Sequence, residues 1–242
     1  MTETLIALLL GHLVADFLLQ PDWMIARKRR PEVLGLHVAV VALVAWIALG
    51  VPPAWGLLAL IAASHLAIDA AKILWGGSGF RAFAADQAAH GAMAGLGAAL
   101  FPGAWAAGIW AGPAVAALPA LAGLPSAMAL AAGVIATVWA GGYAVGALMR
   151  GLAIPGPAGS LPKGGELIGR LERLVILMLV LAGEPAAIGF LIAAKSILRF
   201  NELVREEDRH VSEYVIIGTL ASFAWAIAAA YATRAGLAAV GV

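Results

Sequence analysis

Apolar runs of roughly 18–25 residues recur along almost the whole chain, separated by short links that collect proline, glycine and charge. As a helix, each run is long enough to cross a hydrocarbon layer about 30 Å thick. The pattern predicts eight helices, over 3–20, 31–50, 53–75, 80–100, 126–149, 165–182, 186–206 and 210–234. Pro31 suits the first turn of the second helix, Pro52-Pro53 the turn before the third, and Ser126 the N-cap of the fifth. Residues 101–125 are also apolar, but Pro102, Pro113, Pro119 and four glycines break them, so they read as a non-spanning or re-entrant connector. The expected fold is all-α, a polytopic transmembrane bundle. It divides into a four-helix module over 1–100, the connector over 101–125 and a C-terminal four-helix module over 126–242.

Composition sharpens this reading. Of 242 residues, 63% are hydrophobic and 12% charged, with mean hydropathy +0.95. Soluble domains average about 45–50% apolar and about 25% charged. A net charge of +1, with no basic stripe, argues against an acidic partner or nucleic acid; membrane lipid is the expected surrounding. The absence of cysteine excludes disulfides and thiolate metal sites. The N-terminal run lacks a basic leader, and His12 and Asp16 interrupt it, so it reads as a membrane helix rather than a cleaved signal.

Basic residues alternate between links. Arg27-Lys28-Arg29-Arg30, then Lys72 and Arg81, then Arg150 and Lys163, then Arg205 and Arg209 mark every second link, while the intervening ones carry no Lys or Arg. The bias of cations towards the cytoplasm predicts a multi-pass inner-membrane protein with both termini outside. Arg234 is the exception.

Ionisable residues inside apolar helices are costly and usually functional. Here they repeat. His12, Asp16 and His37 are followed 53 positions later by His65, Asp69 and His90, and Gly11-His12-Leu13-Val14-Ala15-Asp16 parallels Ser64-His65-Leu66-Ala67-Ile68-Asp69. With helices 1 and 3 running the same way, the two hairpins form a parallel tandem repeat. Counting from the cytoplasmic helix ends at 1.5 Å per residue puts His12, Asp16, His37, His65, Asp69, Asp86 and His90 in one layer, roughly 6–15 Å deep. The pairs His12/Asp16, His65/Asp69 and Asp86/His90 each have i,i+4 spacing and share a helix face. Imidazole and carboxylate without thiolate suit a divalent transition metal such as Zn, Mn, Fe or Ni. Four His and three Asp exceed the needs of one structural ion, so a dinuclear centre fits the count. Asp86 has no counterpart in the first repeat, where Val33 is equivalent, and is the candidate bridge or catalytic base. For any single residue, interhelical hydrogen bonding worth about 1–2 kcal/mol or less is the simpler account. The duplicated set favours metal over that and over a proton relay.

The second half adds cations. Arg170, Lys195 and Arg199 are the candidate anion-binding, substrate-holding residues; Lys195 lies about 15 Å from its helix end, too deep to snorkel easily. Arg173, Glu202 and His210 are expected to snorkel to the inner interface.

These motifs resemble a bacterial integral-membrane family known as domain of unknown function 3307. The resemblance rests on Gly11–Gln20 with Trp23 and His37, on the block around His65, Asp69, Asp86 and His90, and on Ile168–Arg173, Ile188–Phe200 and Ser212–Leu220. It implies no established activity. The His/Asp helices are also similar in pattern, more weakly, to membrane proteins regarded as metal-dependent hydrolases. The expected function is therefore a metal-dependent hydrolase acting on a lipid-like or phosphorylated substrate. The alternatives are a divalent-cation or proton-coupled transporter, or a structural membrane protein with a stabilising metal.

Overall fold

A computed structural model describes residues 1–118, 121–152, 163–205 and 209–241, leaving aside the side chains of 116, 198–205 and 209. Among the described residues the fold is all-helical. Each predicted apolar segment forms a helix close to its expected limits: α1 Thr2–Phe17, α3 Pro31–Ala48, α4 Trp55–Trp75, α5 Phe80–Leu100, α7 Leu124–Ile135 continued by α8 Gly141–Met149, α9 Gly164–Leu181, α10 Ala187–Arg205 and α11 Arg209–Ala238. Two short helices, α2 Asp22–Ala26 and α6 Pro113–Ala116, lie in the links. Pro31 and Pro113 each open their helix, where a missing N–H costs nothing.

This is a membrane protein: four stretches, Pro31–Ala48, Trp55–Trp75, Leu124–Leu152 and His210–Ala238, are long and apolar enough to cross a bilayer. The other long helices fall short of that standard for visible reasons. α1 has only 16 residues, α5 carries Arg81, Asp86, Gln87 and His90, and α9 carries Glu166, Arg170, Glu172 and Arg173.

The chain forms two compact units, Met1–Ile135 with Ala235–Val242, and Ala136–Arg234. The ligand-bearing helices thus share their unit with the connector and α7, a partition drawn at other residues than the expected modules. In the first unit α1 is central, packing against α3, α5 and α7, while α4 closes the ring between α3 and α5. Small residues set the spacing. A Cβ on Gly11 would stand 3.0 Å from Ala45 Cα, and one on Gly97 would stand 2.9 Å from Leu57 Cδ1. The buried core runs through Ile6, Leu8, Ala45, Leu49, Leu57 and Ala98.

The connector carries no helix longer than four residues among its described part, and it caps α1 and α3. Ile109 N–H donates to Gly50 O at 2.7 Å, and Trp110 Nε1 donates at 2.8 Å to Ile47 O, which also accepts from Gly50 N–H at the end of α3. Gly50 makes this possible twice over: its φ is +84°, and a Cβ there would lie 2.7 Å from Trp110 Cδ1. Buried Thr4 accepts a hydrogen bond from Trp105 N–H at 3.2 Å and donates to Pro102 O at 3.1 Å.

In the second unit the helix from Leu124 widens into a π turn at Ala136–Ala140. The turn leaves carbonyls open to side chains: Ala136 O accepts from Trp225 Nε1 and Val138 O from Arg173 Nη2, both at 2.9 Å.

The Gly11 contact predicts that Gly11→Val, by forcing α1 from α3, destabilises the protein by about 1–3 kcal/mol. At about 2–4 °C per kcal/mol this is readable as a lowered melting temperature in detergent. Gly35→Ala, where no atom lies within 4 Å of the added Cβ, should leave it unchanged or slightly raised.

Candidate metal centre

Every helix of the four-membered ring turns a ligand face inward. His12 and Asp16 come from α1, His37 from α3, His65 and Asp69 from α4, and Asp86 and His90 from α5. All seven sequence-predicted ligands come together; six are buried, and the side chain of Asp16 is only 9% exposed. They form three overlapping groups whose ligand atoms lie within 4.8 Å of one another: His12/His65/His90, Asp16/His37/His65 and Asp69/Asp86/His90. His65 and His90 each belong to two groups.

The tightest constellation joins His37 Nε2, His65 Nε2, Asp16 Oδ1 and Asp69 Oδ2. The two Nε2 atoms are 3.0 Å apart, and the carboxylate oxygens lie 3.3, 3.4, 3.5 and 3.6 Å from them. Four ligands about 2.0–2.1 Å from one ion stand about 3.3–3.4 Å apart in a tetrahedron. The His37–His65, His37–Asp16 and His65–Asp16 separations of 3.0, 3.3 and 3.5 Å lie near that value, so these three donors could hold a small divalent ion.

His90 adds a second indication. Its Nδ1 lies 2.9 Å from the backbone carbonyl of Asp86, and a carbonyl only accepts, so Nδ1 is the donor. In the neutral ring Nε2 then carries a lone pair, and it is buried with no hydrogen-bond partner. An imidazole whose other nitrogen is fixed by a carbonyl is the usual arrangement of a metal-ligating histidine. His12 Nδ1, Asp16 Oδ1 and Asp86 Oδ1 are likewise buried without a hydrogen bond. The ring of His12 stacks on His90 at 4.7 Å, and that of His37 lies 5.0 Å from His65.

Three partners were not singled out as part of the site by the sequence. Lys28 Nζ sits 2.7 Å from Asp69 Oδ2, Lys72 Nζ 2.8 Å from Asp86 Oδ2, and Gln87 bridges, donating to Asp86 Oδ2 at 3.0 Å with its Oε1 3.2 Å from His12 Nε2. For Lys72 a signal existed, because His65, Asp69 and Lys72 follow i, i+4, i+7 on one face of α4. Lys28 lies in a link, and only the folded chain brings it to Asp69.

Two spaces adjoin the cluster. One, of about 20 Å³ beside His12, His65 and His90, has room for about one water. The other, about 350 Å³, runs between α4 and α5 along Ala71, Trp75, Ala82, Ala85 and Ala89, and reaches Asp86 and Lys72.

The expected anion-binding residues lie in the second unit. Arg170 pairs with Glu166 at 2.5 Å on its own helix surface, and Lys195 pairs with Glu172 at 2.6 Å. Arg199 is in α10, but its side chain, like that of Glu202, lies outside the described residues. Arg173 does not snorkel as expected: it is buried, held by Val138 O and by Ser222 Oγ at 3.1 Å. The glycines Gly141, Gly142 and Gly169 make room for it, a contribution that helical spacing alone does not reveal.

Residues 4–96 match the model of a family described as a protein of unknown function, DUF3307. The matched segment contains all seven candidate ligands and both lysines that meet their carboxylates, Lys28 and Lys72. No curated protein and no solved structure matches the chain.

Because His65 serves two groups, His65→Ala is the decisive loss at this site. Wild-type protein purified without chelator is expected to carry stoichiometric transition metal by elemental analysis. Metal supplied at 100 times its Kd should stabilise it by about 2.7 kcal/mol. His65→Ala should lose both metal and stabilisation. Metal-free wild type that added Zn²⁺ or Mn²⁺ fails to stabilise would remove the site.

Proposed function

We propose that the protein is a multi-pass inner-membrane hydrolase that uses one or two divalent metal ions, Zn, Mn or Fe, to cleave a lipid-like or phosphorylated ester. The observation that carries this reading is the convergence of His12, Asp16, His37, His65, Asp69, Asp86 and His90 into overlapping ligand groups. More donors are present than one structural ion requires, which leaves positions for water and substrate.

Eight membrane helices with both termini on the periplasmic side are consistent with the alternation of basic links. A parallel repeat of hairpins finds support in the ring pairs. The relation that takes His12 to His65 and His90 to His37 matches the two pairs in separation, 4.7 and 5.0 Å, while their interplanar angles differ, 20° and 59°.

In this reading bound metal supplies a water of lowered pKa and polarises the scissile group. The protein's residues do the rest. Asp86 Oδ1, buried and without a hydrogen bond, accepts the water proton as its oxygen bonds to the electrophile, and returns that proton to the departing alkoxide. Lys72, half exposed at the groove, is placed to hold an anionic oxygen of the substrate. The alanine-lined groove favours a substrate with an apolar portion, delivered from the bilayer. Transport would need a path on the other side of the cluster, and the space there is about 20 Å³ with Leu8, Val41 and Ala94 in its wall.

The test is release of product from phospholipid and acyl-ester substrates in mixed micelles by metal-loaded protein. Asp86→Asn should lower turnover about 10²–10⁴-fold, the range for a lost general base, while His65→Ala abolishes it. Divalent-metal uptake into sealed proteoliposomes, lost in Asp69→Asn and unaccompanied by hydrolysis, would instead establish a transporter.

A further inference from the structure

The second unit carries a half-open pocket of about 500 Å³ between α8, α9, α10 and α11. That is the size of an ordinary small-molecule site. Its wall includes Arg173, which is 3% exposed. The guanidinium donates to Val138 O and Ser222 Oγ, both neutral, and its Nε donates to nothing. Among the described residues no carboxylate comes within 4.0 Å of it. The two acids on its own helix are engaged elsewhere, Glu166 with Arg170 and Glu172 with Lys195.

Arginine cannot shed its proton, so this buried charge persists; Glu172 and Glu166, which also line the pocket, balance it only from a distance, and a buried charge with no carboxylate in contact is unfavourable. The backbone is shaped to hold it nonetheless. A Cβ on Gly141, Gly142 or Gly169 would come to 2.8, 3.3 or 3.2 Å from the Arg173 side chain. The π turn supplies Val138 O, and π turns concentrate at functional sites. Next to Arg173 the cavity wall carries the Lys195–Glu172 pair, with Lys195 Nζ 5.4 Å from the Phe223 ring. Val145, Met149 and Val215 give the cavity an apolar flank.

We propose that this cavity binds a phosphate-bearing ligand, with Arg173 as its counter-charge and the Lys195–Glu172 pair beside it. Guanidinium offers planar donors that match a phosphate, and the apolar flank accommodates what the phosphate is attached to. The phosphate comes either from a phospholipid headgroup or from a soluble phosphate. This site is built wholly within the second unit and does not depend on the metal centre.

The test uses the full chain in neutral detergent. Phosphatidic acid binding is followed by native mass spectrometry with diacylglycerol as control, and inorganic phosphate binding by calorimetry. Saturable binding of phosphatidic acid but not diacylglycerol supports the lipid source; binding of inorganic phosphate supports the soluble one. Arg173→Met is expected to weaken binding about 30-fold or more. Gly146→Leu fills open cavity space, since nothing lies within 4 Å of its Cβ position, and leaves the Arg173 hydrogen bonds in place. It should show the same loss with an unchanged melting temperature, and it carries the test alone if Arg173→Met does not fold. Wild type that binds neither probe, or Gly146→Leu protein that binds phosphatidic acid as wild type does, would overturn the proposal.

Discussion

Buried carboxylates beside imidazoles impose the condition that the first unit must meet. Asp16 and Asp69 stand on helices whose neighbours are hydrocarbon-like, and an ionised carboxylate there must be neutralised or hydrogen-bonded. Each reaches two histidines on other elements or its own: Asp16 approaches His37 and His65, and Asp69 approaches the same pair from α4. The distances are 3.3–3.6 Å, so the backbones of α1, α3 and α4 are held to a narrow range of separations and rotations. Gly11 against Ala45 and Gly97 against Leu57 are how the packing accommodates that demand. The site and the packing of its helices are therefore one problem with one solution.

That coupling explains why so much of the first unit is legible in the sequence. Helical segments are visible because apolar runs alternate with proline, glycine and charge, and α3, α4 and α5 match their expected limits to within two residues. The ligands are visible because a polar residue in an apolar run is conspicuous, and because i,i+4 spacing fixes a shared face without any tertiary knowledge. Even the common depth of the seven groups follows from counting residues along helices.

What is not legible depends on contacts between distant segments. Lys28 reaches Asp69 from a link, and nothing in its local pattern distinguishes it from Arg27 or Arg29. The π turn at Ala136–Ala140 leaves no mark in hydropathy, because it changes hydrogen bonding rather than composition. Arg173 illustrates the same limit from the other side. A long cation on a helix ordinarily reaches water, and here, in the middle of α9, the glycines around it and the open carbonyl of Val138 hold it inward. The connector's role in capping α3 likewise appears only once Gly50 and Trp110 are seen together.

The contact between Lys28 and Asp69 separates two uses of charge that look identical on paper. Arg27, Arg29 and Arg30 are exposed, whereas Lys28 is drawn towards a carboxylate buried on α4. The exposed three act as a sum: orientation in a bilayer responds to the total number of cations at a helix end, so they substitute for one another. Lys28 acts as an individual, defined by the length of its stem and the one oxygen that it meets. A run of four basic residues thus contains three interchangeable members and one that is not, and its tolerance to change should be judged position by position rather than by its charge.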